Sequence, residues 1–232
     1  LSLIKSEIIS QEKSKIVNDY KAMNIVIAGL PKVGKSTFAS QIGADGSVYF
    51  CSTEKGLDFL EVYKTEIRAW TEFQKLVTEF CKQTKFKHLV IDVMDNLHDI
   101  CVDHVCETNK VKALTDLAFG AGFTATKKFI MKELVKLNNA GKGITFVTHT
   151  KDKEIKKEAV TYTAVATSLA NSIEEKILGM SDLILFCYVD KDGKRMMRTK
   201  PTKHIICAGD RSGKLPDVMP MDAKLLLETL SI

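Results

Sequence analysis

No stretch of the 232-residue sequence approaches the ~18–20 consecutive apolar residues that a bilayer-spanning helix needs. Residues 1–20 do not read as a secretory leader, because Lys, Glu, Gln and Asp interrupt every apolar run. The six cysteines, Cys51, Cys81, Cys101, Cys106, Cys187 and Cys207, are scattered and come without a leader. Most lie in apolar runs, where a thiol behaves as a small buried hydrophobe, so reduced thiols in a cytoplasm are expected rather than disulfides. There is no internal repeat, low-complexity segment or clear interdomain linker, and no membrane partner is expected. Nor does one sign of charge dominate: the net charge is +5 and the pI about 8.8, which permits a nucleic-acid partner without requiring one. What remains, 45% hydrophobic and 27% charged residues, suits one α/β domain with a full core. That domain is expected over residues 23–232, preceded by an arm or short helix over residues 1–22.

The most informative stretch is Gly29-Leu30-Pro31-Lys32-Val33-Gly34-Lys35-Ser36-Thr37, a G-x-x-x-x-G-K-S pattern. An apolar run, Met23 to Ala28, leads into it as a buried strand should. Good helix formers follow it until Gly43. Gly29 and Gly34 let the backbone turn and approach a phosphate, while successive N–H groups at the helix start form a concave anion site. Lys35 is expected between the β- and γ-phosphates, Ser36 on Mg²⁺ and Thr37 near the α-phosphate. ATP and Mg²⁺ are the ligands implied.

Two acids follow strands. Ser47–Ser52 reads as a second buried strand, and Glu54 lies just past it, on the side of an open α/β sheet where ligands bind. Glu54 is a candidate to polarise the water that attacks the γ-phosphate. Phe86-Lys87-His88-Leu89-Val90-Ile91-Asp92 is an apolar strand closed by an acid, which makes Asp92 a second candidate for holding Mg²⁺; Asp95 is a weaker one. The strand Gly143–His149 ends in the polar Thr148 and His149, the latter a candidate sensor of the γ-phosphate or else a structural histidine.

His98, Cys101, His104 and Cys106 suggest zinc, but at helical spacing His104 and Cys106 diverge from the face of His98 and Cys101, which favours an ordinary helix with buried cysteines. Trp70 to Lys82 carries a helical stripe, and Asp192-Gly193 reads as a hairpin turn after the strand Asp182–Val189. Residues 107–122 read as a mobile loop, residues 150–166 as a long polar loop, a helix is expected over Leu169–Leu178, and Lys203–Cys207 as a strand.

Taken in order, these motifs resemble the RecA-core P-loop ATPases, and most closely the compact phage nucleotide-binding proteins of that class, some of which act in single-strand annealing and recombination. The P-loop, Ser52-Thr53-Glu54-Lys55-Gly56-Leu57-Asp58, Leu89–Asp92 and Cys207–Pro216 carry the likeness. It implies an α/β fold with a mainly parallel sheet, helices on both faces and an antiparallel C-terminal extension. It also implies Glu54 as catalytic base, DNA-binding loops near residues 107–122 and 150–166, and homo-oligomers whose sites are completed in trans, with Lys203 and Arg211 as candidate cations. Single-stranded DNA is then the expected partner, in a bacterial host cytoplasm if the chain is phage-encoded. His149 stands where RecA has Gln, and RecA's separate terminal domains are not expected here. A regulatory nucleotide switch acting on proteins and a small-molecule kinase are the rival readings.

Overall fold

The computed structural model describes residues 19–157 and 160–230. The strand expected before the P-loop is β1 (Asn24–Gly29), buried throughout. Ile25 and Ile27 enter one core and Val26 and Ala28 the other, because successive side chains of a strand face opposite ways. A strand covered on both faces needs no polar alternation, hence the continuous apolar run.

Around β1 the chain lays down α1 (Lys35–Ile42), β2 (Val48–Ser52), β3 (Lys64–Glu66), α2 (Trp70–Phe80), β4 (His88–Asp92), α3 (Met94–Asn109) and α4 (Ala121–Asn139). Next come β5 (Gly143–Thr148), β6 (Thr150–Lys157), β7 (Val160–Thr167), α5 (Asn171–Met180), β8 (Leu183–Val189), β9 (Arg195–Arg198), β10 (Gly209–Asp210), β11 (Val218–Pro220) and α6 (Ala223–Leu230). The main sheet runs β11-β9-β8-β1-β5-β4-β2-β3, with β10 beside β8. From β8 across to β3 every neighbour is parallel, whereas β9, β10 and β11 pair antiparallel. This is the α/β architecture the sequence implies, including the antiparallel extension.

Helices cover both faces. Phe38 and Ile42 of α1 pack with Leu226 and Leu230 of α6 on one side. Phe73 of α2, Leu97 of α3, Leu134 of α4 and Ile173 of α5 fill the other. Each such side chain contributes ~1.5–3 kcal/mol by leaving water. The stripe expected on α2 is realised as buried Trp70, Phe73, Val77 and Phe80. Its start is fixed by Glu72, whose carboxylate accepts from the Ala69 N–H at 3.1 Å.

Three expectations are corrected. Residues 150–166 are no loop but the hairpin β6–β7, a separate two-stranded sheet in register from Thr150↔Thr167 to Lys157↔Val160. β6 is mostly charged and largely exposed, so it carries no apolar alternation, while the end of β7 buries Ala164, Ala166 and Thr167. Lys203–Cys207 is not a strand: it contributes only a single bridge, Ile205 to Val165. Residues 107–122 contain the end of α3, short 3₁₀ turns at Leu114–Asp116 and Ala118–Gly120, and the start of α4. The arm expected over residues 1–22 lies outside the described residues up to residue 18. Tyr20–Ala22 forms a 3₁₀ turn, and Tyr20 is buried in the core with its hydroxyl on Asp45 at 2.9 Å. Among the described residues no helix is long and apolar enough to cross a membrane.

Candidate functional site

The carboxyl ends of β1, β5, β4 and β2 lie side by side at one edge of the sheet, and they bring together the residues singled out from the sequence. Gly29 closes β1 directly against β8: a side chain there would run into the Cys187 carbonyl, so only glycine keeps the two strands paired. Leu30, Pro31 and Lys32 form the exposed outer turn, and Val33 plugs the loop into the core. Gly34 has φ +102°, a conformation side chains disfavour, and opens α1 without a side-chain cap. The N–H groups of the first turn, at Lys35, Ser36 and Thr37, thus have no partner from within the helix.

Lys35 is buried despite its charge. Its ammonium donates to the carbonyls of Gly29 and Leu30, each at 2.9 Å, and lies 3.3 Å from Nδ1 of His149. Burial lowers its pKa, while the negative groups around it, among them Asp92, Glu54 and Asp95, push it back up.

Asp92 is 2% exposed at the end of β4. Burial pushes its carboxyl above the usual range; the nearby Ser36 hydroxyl offsets part of that, Glu54 adds to the rise, and Lys35 and His149 oppose it. Its Oδ1 is buried without any hydrogen-bond partner among the described residues. An unpaired buried carboxylate oxygen facing a serine at a helix start is an oxygen donor set of the kind a hard divalent cation takes. The residues present therefore fit magnesium.

Glu54 follows β2 and is exposed, lining a cleft with Ser52, Thr53, Glu66, Ile67 and Arg68. Its charge is felt by both Lys35 and Asp92. Asp95 is otherwise occupied. Its Oδ2 accepts from the His149 N–H at 3.2 Å and its Oδ1 from the Ser168 hydroxyl, so it ties the ends of β5 and β7 to the start of α3.

The remaining candidates lie elsewhere. Among the described residues no three His, Cys, Asp or Glu side chains are grouped to hold a metal. Cys101 is buried with its thiol toward the Thr126 carbonyl, and His104 sits edge-on to Phe129. Arg211 pairs with Asp182 at 2.9 Å and with the Gly179 carbonyl, at the sheet edge opposite the P-loop. Lys203 lies 4.8 Å from the centre of the Tyr162 ring on β7. One residue at the site had no signal in the sequence: Arg195, 161 positions after Gly34, whose guanidinium packs against that glycine.

The family model described as AAA domain matches residues 21–212, most of the chain. No curated protein matches the sequence.

Proposed function

The chain belongs to the AAA-domain family of P-loop NTPases, a family generally of ATPases, and on that premise we propose that it is a slow, magnesium-dependent ATPase acting with single-stranded DNA. The observation that carries the nucleotide half is the buried Asp92, its Oδ1 without a partner among the described residues, close to Ser36 and Lys35 at the start of α1. In this reading Lys35 and the open N–H groups of Gly34 to Thr37 bind the phosphates. Ser36 and Asp92 hold the magnesium ion, which when bound supplies positive charge to the phosphate oxygens. Glu54 takes the proton from the attacking water, and His149, touching Lys35, reads whether a terminal phosphate is present.

Two surface features support the DNA half. The β6–β7 hairpin starts one residue after His149 and carries Lys151, Lys153 and Lys156 on one strand. The α3–α4 turn carries Phe119, fully exposed, and the first turn of α4 carries Phe123, 46% exposed, side chains on which unpaired bases can stack. Assembly into homo-oligomers with shared sites fits the exposure of Glu54. Lys203 is the better trans-acting candidate, because Arg211 would first have to leave Asp182. Six free cysteines, most of them buried, agree with a reducing cytoplasm. The likeness to phage annealing and recombination proteins is the finer part of this reading and rests on motif order.

The test is ATP turnover with and without single-stranded DNA, with DNA binding measured across salt concentrations. Stimulated turnover and salt-sensitive binding are expected. Turnover indifferent to DNA, together with no salt-sensitive binding, removes the DNA claim and leaves the ATPase.

A further inference from the structure

Arg195 opens β9 at the same sheet edge as the P-loop, because β9 runs antiparallel to β8 and Arg195 pairs with Val189 near the carboxyl end of β8. Its backbone is held from the other side as well: the Met221 N–H donates to its carbonyl at 3.0 Å. It shares a strand face with Met197, which is buried in the core beneath α1. The side chain consequently crosses over β8 to the loop. Its Cζ and Nε lie 3.5 Å from the position a Cβ on Gly34 would take.

This guanidinium is exposed, and no carboxylate forms an ion pair with it among the described residues. Beside it is the positive end of α1, which Gly34 opens. Gathering like charges in this way costs Coulomb energy unless an anion is shared among them. The sheet order says which part of a polyphosphate that anion is. Asp92, Glu54 and His149 come from the β5, β4 and β2 flank of β1, whereas Arg195 comes from the β8 and β9 flank. A nucleotide whose terminal phosphate meets the acids and His149 therefore turns its inner phosphates toward Arg195.

We propose that Arg195 is a phosphate-binding residue acting within its own chain, clamping the inner phosphates of the nucleotide against Gly34 and so setting affinity for di- and triphosphates alike. The inference rests on the nucleotide-binding reading above and adds to it a residue outside the P-loop motif.

The experiment is calorimetric titration of the whole chain with MgADP and with a non-hydrolysable MgATP analogue, comparing wild type, Arg195→Met and Arg195→Lys. Met keeps an unbranched stem over Gly34 but no charge; Lys keeps the charge but not the planar fork. Arg195→Met is expected to bind both nucleotides weaker by the same factor, roughly tenfold or more, the scale of a lost charge-assisted hydrogen bond. Arg195→Lys should fall between, and the melting temperature without nucleotide should stay at the wild-type value. Wild-type affinity for ADP in Arg195→Met overturns the assignment, as does a loss confined to the triphosphate, which would put the guanidinium on the terminal phosphate. If wild type itself binds neither nucleotide, the proposed function falls and this assignment with it; if wild type binds and Arg195→Met binds just as tightly, the assignment alone falls.

Discussion

Nζ of Lys35 lies 3.3 Å from Nδ1 of His149, so the loop after β1 and the end of β5 meet through one polar contact. The same ammonium also bonds two P-loop carbonyls. A cation so placed neutralises anionic oxygens at the loop and is in contact with the next strand. Lys35→Ala is expected to abolish detectable ATP binding while leaving the far-ultraviolet circular dichroism of the fold intact. Titration with a fluorescent ATP analogue checks it, and wild-type affinity would contradict the phosphate role of Lys35.

Glu54 acts at a different step. Glu54→Gln keeps the shape of the side chain and removes its ability to accept a proton. Binding is expected to persist and turnover to fall by ~10²-fold or more, the scale for losing a general base. Single-turnover hydrolysis separates the two quantities; an unaltered rate would mean that another group positions the water.

The elements around this site differ in how plainly the sequence announces them. Val90-Ile91-Asp92 and Ile25-Val26-Ile27 are buried on both faces, and burial leaves a mark in residue type. The P-loop is a local motif, so its geometry follows from contiguous residues. The β6–β7 hairpin leaves no such mark, since Lys151, Asp152 and Glu154 are all exposed and its pairing is made by backbone alone. β3 has only three residues, too few for any period to register. Arg195 was beyond reach for another reason: its neighbour Gly34 is brought to it by strand order, which no spacing in the chain encodes.

Acid should unfold this protein through His88. The imidazole is fully buried, and its burial depresses the pKa to about 4, although the hydrogen bond with the Tyr20 carbonyl pulls the other way. The unfolded chain takes up this proton near pH ~6.5 and the folded chain only near pH 4, so the unfolded state gains as pH falls between them. The stability tied to neutral His88 is complete above pH ~6.5 and is lost progressively down to about pH 4, about 3 kcal/mol in all. Denaturant titrations at several pH values should give a wild type that weakens across this window, and His88→Gln should weaken less. Equal slopes would remove His88 from the account.

Gly29→Ala places a methyl group on the Cys187 carbonyl, which belongs to a paired strand and cannot simply rotate away. The strain is expected to cost ~1–3 kcal/mol and to loosen the loop that follows. A lowered melting temperature accompanied by weaker nucleotide binding is the expected result; an unchanged melting temperature would show that β1 and β8 have room to separate.

The position of β1 governs when the protein can come into being. Asn24 and Ile25 are made well before the strands that flank them, which enter at Ile144 and Leu183. The phosphate loop therefore has no complete scaffold until β8 has been made. Pairing across such separations is slow, because a long loop must close before any contact rewards it. A nascent or truncated chain ending before β8 should be blind to ATP, and nucleotide would favour only the finished sheet, stabilising it against reopening in proportion to its occupancy.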